Sequence, residues 1–188
     1  MALVSSVSNG ASTTYAIAGD FCRIFAQDMN RLYLLSFLLT ADREKAEQCF
    51  VSGLEDSVKA NRVFREWARS WARRAIIRNA IRMIEPKPHG AGKTPPPTIN
   101  AAATSENESA FAAILQLGAF ERFVFVISVL ENYSDQDCSI LLGCSRRAVA
   151  LARVRAAERI AMFSESGVQN AGRNPGVFAQ ERLVAQSA

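Results

Sequence analysis

Residues 131–160, ENYSDQDCSILLGCSRRAVALARVRAAERI, carry the clearest structural signal in the sequence. Ser134 followed three residues later by Asp137 resembles a capping box that opens a helix. Gly143 is suited to the left-handed conformation that ends one, and Ser145 is suited to cap a new helix starting at Arg146. A connection of only Gly-Cys-Ser forces the two helices to cross steeply. The pattern therefore predicts a helix-turn-helix.

Small and apolar side chains supply the interior of this corner. The first helix is expected to bury Ile140 or Leu141 together with Leu142, and Ser139 is small where the two helices approach. Val149 is β-branched and apolar where the second helix packs back. Arg146 and Arg147 occupy the N-terminal positions that such motifs place in the DNA major groove, where arginine binds guanine or a phosphate. Exposed charge that merely keeps the helix soluble is the alternative for these two residues.

Helical periodicity extends outward from this corner over most of the chain, which predicts an all-α protein. Residues 85–110, EPKPHGAGKTPPPTINAAATSENESA, carry five of the six prolines and are expected to form a flexible linker. The linker separates two helical modules, residues 16–84 (the first module) and 111–163 (the second module). Residues 164–188 form a tail with no decisive pattern.

The first module is expected to contain three helices. The first covers Asp20–Thr40, and Thr40 or Asp42 is expected to cap the second, which runs through Ala46, Phe50 and Leu54. The third begins near Asn61 and lasts until Pro86, which is incompatible with a helix interior.

The third helix carries two different faces. Spacing of about 100° per residue places Trp71, Arg74, Arg78 and Arg82 on one side. The opposite side is apolar and suited to packing; it holds Ile77, Ala80, Ile81 and Ile84. Arginines that hold phosphates beside an indole that stacks on an unpaired base suit a nucleic acid. A structural role, with Trp67 and Trp71 in the core, fits the same pattern.

Charge is unevenly distributed. Residues 16–58 have a net charge of −3, whereas residues 59–87 hold nine basic and two acidic side chains and residues 144–163 hold five arginines and one glutamate. Two basic blocks suggest a polyanionic partner, although on charge alone a solvated helix face is the favoured explanation.

Other classes of protein are disfavoured. The four cysteines form no CxxC pair and the single histidine, His89, lies in the linker, so neither a zinc site nor another cofactor is expected. The thiols are expected to be reduced and to act as small apolar residues. No nucleophile motif or phosphate loop indicates an enzyme. Without a secretion signal or a membrane-spanning stretch, we expect a cytoplasmic location.

The motifs together resemble the extracytoplasmic-function (ECF) family of bacterial sigma factors. The similar elements are Tyr133-Ser134, the Leu141–Ser145 turn, Val149, the arginines 153, 155 and 159, the segment Leu32–Leu35 followed by TADREKAE (40–47), and Phe64–Ile84. They lie within Leu32–Ile84 and Leu117–Ile160, over half of the chain.

The resemblance implies a sigma region 2-like bundle and a region 4-like helix-turn-helix domain. The first module would bind core RNA polymerase and capture the melted minus-ten element through Trp71, Arg74 and Arg78. The second would bind the minus-thirty-five duplex through Arg146, Arg147 and Arg155. An anti-sigma factor is an implied further partner.

The chain departs from the family in three places. Val51-Ser52-Gly53 replaces a Gln-Glu pair that contacts the polymerase, and Ala150 and Ala152 stand where the family often has Lys and Arg. Arg153 stands where an apolar core residue is usual. Two alternatives therefore stay open. One is a degenerate sigma-like module that binds polymerase or an anti-sigma factor without recognising promoters. The other is a helix-turn-helix regulator that binds DNA without polymerase.

Overall fold

Helices make up nearly all the regular structure. The computed structural model describes residues 14–60, 62–88 and 106–171, with side chains for 14–60, 62–88 and 110–163. Within these ranges the only extended pairing is an isolated bridge between Tyr15 and Phe64, so the predicted all-α class is confirmed. No helix in the same ranges is long and apolar enough to cross a bilayer. The helices are α1 (Ala18–Gln27), α2 (Met29–Thr40), α3 (Arg43–Val58), α4 (Ala68–Ile84), α5 (Glu106–Gln116), α6 (Ala119–Phe125), α7 (Asp135–Leu142) and α8 (Arg146–Ala171).

The stretch predicted as one helix, Asp20–Thr40, is divided into α1 and α2 at Asp28. Hydrogen bonding is almost continuous across the division, because the Asp28 N–H donates to Ile24 and the Asp28 carbonyl accepts from Leu32. The carboxylate of Asp28 is turned toward Arg69 of α4, with which it forms an ion pair. This ion pair joins the division to α4 through residues that are far apart in the sequence.

Asp42 caps α3, which confirms one of the two residues predicted for this role. Its carboxylate accepts a hydrogen bond from the Lys45 N–H at 2.9 Å. The Thr40 hydroxyl instead donates to the Ser36 carbonyl, so Thr40 ends α2 and does not begin α3. An acidic cap also interacts favourably with the positive end of the helix dipole.

The third predicted helix begins later than expected. Residue Asn61, its predicted start, lies outside the described residues, and α4 begins at Ala68 after a 3₁₀ turn at Arg65–Trp67. The reason is a bridge to the N-terminal segment, in which the Ala16 N–H donates to Val63 and the Arg65 N–H donates to Thr14. Extended backbone at Phe64 cannot be helical while it makes this bridge. The predicted end is confirmed, because α4 stops at Ile84.

The core of the first module lies between α3 and α4. Ile77 and Ala80 are fully buried, and Ile81 and Ile84 are half-buried, as the predicted apolar face required. Gly53 of α3 lies directly against Ile76 of α4, since a Cβ built on it would fall 2.5 Å from the Ile76 Cδ1. The glycine therefore allows a close approach of the two helices.

The second module contains α5 to α8. Its apolar stretch from Phe120 does not continue as a regular α-helix, because α6 ends at Phe125 and a wide π turn follows at Val126–Leu130. The helix α5 begins at Glu106, so the last five residues of the predicted linker, 106–110, are helical. The rest of the linker, residues 89–105, lies outside the described residues, as do residues 172–188 of the tail.

The two ranges predicted as modules share one continuous apolar core, and we call the seam the place where α2 meets α5, α6 and the π turn. Phe37 of α2 stacks on Phe111 of α5 with ring centroids 5.9 Å apart. Arg122 of α6 is only 2% exposed, and its guanidinium donates to the carbonyls of Leu39 and Leu117. Burial lowers the pKa of Arg122 to about 10. The seam is therefore built around a buried cation held by main-chain oxygens.

Candidate nucleic-acid interface

The corner between α7 and α8 lies where the sequence predicted a helix-turn-helix, and only Gly143, Cys144 and Ser145 separate the two helices. The Ser134 Oγ accepts from the Asp137 N–H at 3.1 Å and thereby caps α7. At the other end, Gly143 has φ 61° and ψ 38°, and the Cys144 N–H returns to the Ser139 carbonyl at 3.0 Å. This is the hydrogen-bond pattern of a Schellman motif. Ser145 then caps α8 by accepting from the Ala148 N–H at 3.2 Å.

The interior of the corner is made of small residues. Cys138 and Val149 are completely buried and Ser139 is 9% exposed, as the close approach of two helices requires. Of the two predicted options for the first helix, the structure selects Leu141 with Leu142, both half-buried. Ile140 is 62% exposed, because it lies about 200° around the helix axis from Cys138.

The arginines of α8 divide into two groups. Arg146, Arg147 and Arg155 are exposed and form no ion pair within the described residues. Arg153 instead binds Asp135 of α7, and Arg159 binds Glu121 of α6 at 2.6 Å. The three exposed guanidinium groups are thus the ones that can bind an external anion, whereas the paired ones hold α8 in place.

A polar cleft of about 420 Å³ runs beside α8 and gathers several cationic groups. Arg147 and Arg155 line it, with Leu151 between them on the same face at four-residue spacing. Lys87 also lines the cleft, and nothing in the local sequence pattern pointed to it. Arg146 is exposed but is not among the lining residues, so the structure brings together Arg147 and Arg155 without Arg146.

The predicted aromatic-and-arginine face of α4 is present but is smaller than expected. The Arg78 guanidinium lies 5.9 Å from the Trp71 ring centroid, within the range of a cation–π contact, and Arg78 is exposed. Arg74 is half-buried, and its Nε is inaccessible with no hydrogen-bond partner within the described residues. Arg82 is engaged between α3 and α4, where it binds Asp56 at 2.6 Å.

Much of the positive charge in residues 59–87 is neutralised within the chain. Arginines 65, 69, 73 and 82 each form an ion pair with an acidic residue of another element. The strongest example is Asp20, which is 4% exposed and accepts hydrogen bonds from the Ile17 N–H and the Arg65 guanidinium. The main-chain bond from Ile17, with help from Arg65, holds the pKa of the Asp20 carboxyl below its usual 3.8. The net charge of this segment therefore overstates its free basic surface.

An exposed aromatic cluster precedes α4 and was not predicted. Trp67 is 59% exposed, so the alternative that placed Trp67 and Trp71 in the core is wrong for Trp67, whereas Trp71 is half-buried against the core. Trp67 contacts Phe64 edge-on with ring centroids 5.1 Å apart, and Phe64 stacks on Tyr15 at 5.0 Å. The cluster could not be found by helical phase, because Phe64 is extended and Tyr15 comes from a distant segment.

The four cysteines are free thiols. Cys49 and Cys138 are completely buried, and burial raises the pKa of each to about 11. These two act as small apolar residues, as predicted. Cys22 is exposed, so it does not act as a small apolar residue of the core.

Comparison with known proteins gives no match, either to a protein-family model or to a curated protein.

Proposed function

We propose that this chain is a sigma factor-like transcription initiation protein, which binds core RNA polymerase and promoter DNA. The proposal rests on the corner at Gly143, where α7 ends and Ser145 caps α8, with Arg146 and Arg147 exposed where α8 begins. In a helix-turn-helix the second helix presents its N-terminal side chains to a major groove.

Binding of duplex DNA is assigned to α8. The exposed arginines and Lys87 supply positive charge for the phosphates, and the N-terminal end of α8 adds its own partial positive charge. An arginine at the first or second position of the helix has the reach and the two donors needed for guanine. Ala152 is 4% exposed and Ala150 is half-buried, so neither adds a base contact. Direct readout then depends on Arg146 and Arg147.

Binding of a separated DNA strand is assigned to α4. Trp71 and Arg78 already form a stacked cation–π pair, and a base of an unpaired strand could stack beside it. Arg74 on the same side of α4 would supply a contact to phosphate. The exposed Trp67 offers a second aromatic surface close to the beginning of α4.

One observation favours a second candidate, a degenerate sigma-like module that binds polymerase or an anti-sigma factor without promoter recognition. On α3, Val51 is 53% exposed and Gly53 is buried against Ile76. The polar pair that the ECF family has in this segment is thus replaced by an apolar surface residue and a packing residue. The exposed apolar side chain of Val51 suits contact with an apolar surface of a protein partner better than it suits a polar contact.

The experiment that tests the proposal mixes the purified full chain with core RNA polymerase on a library of promoters and maps the transcripts. We expect transcripts whose start sites share two upstream promoter elements, one near position minus ten and one near position minus thirty-five. Binding to polymerase without such transcripts would support the degenerate module instead. Specific binding to duplex DNA without any requirement for polymerase would support a helix-turn-helix regulator. An Arg147→Ala protein is the matched variant, and it is expected to retain binding to polymerase.

A further inference from the structure

We infer that the cleft beside α8 is a binding site for a nucleoside polyphosphate, and that this ligand competes with duplex DNA for α8. The inference rests on the proposed function, because two arginines of the cleft, Arg147 and Arg155, are among those assigned to duplex DNA. It adds to that surface a small-molecule ligand with apolar contacts of its own.

Three separate parts of the chain form the cleft. Lys87 comes from the segment after α4, Phe120 from the start of α6 and Arg155 from α8. The volume of about 420 Å³ lies within the range of about 300–1,000 Å³ that is typical of small-molecule sites. Contacts to the phosphates of a duplex require exposed donors but no such recess. The concave shape therefore points to a ligand other than the duplex.

The lining of the cleft is strongly cationic. Lys87, Arg147 and Arg155 are exposed, and none of them forms an ion pair among the residues that the structure describes. The carboxylate of Glu121 also lines the cleft, but the Arg159 guanidinium binds it at 2.6 Å and neutralises its charge. Three cationic groups thus remain for an external anion. Guanidinium and ammonium groups donate charge-assisted hydrogen bonds to phosphate oxygens, so a ligand with several phosphates fits this lining.

The cleft also has an apolar part, which a phosphate chain alone would leave uncovered. Leu151 lies midway between Arg147 and Arg155 on α8, lines the cleft and is 48% exposed. At roughly 1.5 Å per residue, the two arginines are about 12 Å apart along the helix axis, so the leucine has room for a ligand group over it. Phe120 adds an aromatic side chain to the lining from α6. A nucleoside that carries phosphates supplies both the apolar body and the anionic groups.

A nucleotide in the cleft would oppose duplex binding directly. Phosphates bound to Arg147 and Arg155 would occupy donors that the duplex requires. They would also place negative charge beside the N-terminal end of α8, where the phosphates of the duplex approach. The two ligands would therefore exclude each other, and a rising concentration of nucleoside polyphosphate would release the duplex from α8.

The first experiment titrates the full chain with ATP, inorganic triphosphate and adenosine in magnesium-free buffer and measures binding by calorimetry. We expect ATP to bind at least about tenfold more tightly than inorganic triphosphate, because only ATP covers Leu151 and Phe120 with an apolar group. Adenosine should bind more weakly than ATP, because it lacks the charged groups that the arginines bind. Equal affinities for ATP and inorganic triphosphate would overturn the nucleoside part of the site.

The second experiment measures competition through the fluorescence anisotropy of a labelled DNA duplex bound to the same protein. We expect ATP to displace the duplex, whereas sodium chloride at the same ionic strength should displace much less of it. Duplex binding without any binding of ATP would overturn the inference and leave the proposed function intact. Binding of ATP without displacement would contradict the shared use of α8. Absence of both ligands would overturn the inference and the DNA-binding role of α8 together.

Two exposed apolar residues of α8 provide a matched pair of variants. Leu151→Ala shortens a side chain that lines the cleft, whereas Val154→Ala shortens one that is 55% exposed and is not part of the lining. We expect Leu151→Ala to weaken ATP binding about fivefold, because less apolar surface is buried against the nucleoside. Duplex affinity, in which neither residue has an assigned part, should be the same in both variants. Equal affinities of the two variants for ATP would contradict the placement of the nucleoside in the cleft.

Discussion

The Arg122 side chain crosses the seam and donates to the main-chain carbonyl of Leu39, with its Nε and Nη2 each 3.3 Å from the oxygen. The same guanidinium donates to the Leu117 carbonyl at 3.0 Å. One side chain thus satisfies the last turn of α2 and the turn that precedes α6. Removal of the guanidinium leaves both carbonyls buried without this donor.

Arg122→Met is therefore expected to lower the free energy of unfolding by at least about 2 kcal/mol, because each buried carbonyl left unsatisfied costs about 1–3 kcal/mol. Urea denaturation of the full chain measures the change. Arg43→Met is the control, since Arg43 is exposed and pairs with Glu47 on its own helix. Similar stabilities of the two variants would show that Arg122 contributes no more than a surface residue.

The left-handed conformation of Gly143 supplies a prediction about the corner. Nothing lies within 4 Å of a Cβ built at Gly143 or at Gly19, but only Gly143 has a positive φ, 61°. Gly143→Ala is expected to destabilise the protein by roughly 1–2 kcal/mol, the cost of a left-handed non-glycine residue. Gly19→Ala, within α1, is expected to be neutral or stabilising. Equal effects in thermal denaturation would mean that backbone strain does not govern the corner.

Local signals in the sequence were sufficient for the caps and for the corner. Asp42, Ser134 and Ser145 bond to main-chain N–H groups within three residues, and Gly143 needs only its own backbone freedom. Such interactions depend on nearest neighbours along the chain, so sequence analysis can recognise them. The all-α class followed from the same local periodicity.

Features decided by distant partners could not be predicted. The sequence could not show that Asp28, where the first predicted helix divides, pairs with Arg69, or that Phe64, before the late start of α4, pairs with Tyr15. Gly53, where the chain differs from the ECF-family pattern, packs against Ile76 of α4, a residue distant in the sequence. At the candidate site, the sequence indicated which arginines are basic and helical, but it could not show that Arg82 and Arg153 pair within the chain.

The buried carboxylate of Asp20 predicts a dependence of stability on pH. Its folded-state pKa lies below 3.8, chiefly because the Ile17 N–H and Arg65 bind the carboxylate. A carboxyl with a lowered pKa contributes stability that is fully present above its unfolded pKa and is lost as pH falls through the folded value. Asp20→Asn should therefore destabilise the protein near neutral pH, and the difference from the wild type should shrink below pH 3.8.

Urea titrations at a series of pH values check this expectation, with Glu44→Gln, an exposed residue in the first turn of α3, as the control. A difference between Asp20→Asn and the wild type that stayed constant down to strongly acidic pH would exclude the ionised carboxylate as its source.

The Trp71–Arg78 pair supplies a prediction about strand separation. Trp71→Ala should impair opening of a promoter more than it impairs the initial binding to duplex promoter, because an unpaired base exists only after opening. Permanganate reactivity of unpaired thymines measures opening in the complex with core polymerase, and gel shift measures the initial binding. Arg78→Ala should show the same pattern to a smaller degree. Equal losses of both steps would identify Trp71 as a structural residue.

The most direct test of the central claim compares the duplex sequences selected by the wild-type chain, by Arg147→Ala and by Arg43→Ala from a random library. Arg147 is exposed at the start of α8, whereas Arg43 is exposed on α3, far from the corner in sequence. We expect Arg147→Ala to lose about 1–3 kcal/mol of specific affinity and to become tolerant at one base pair, while Arg43→Ala selects the wild-type sequence. A selection profile for Arg147→Ala identical to that of the wild type would contradict the claim that α8 reads DNA.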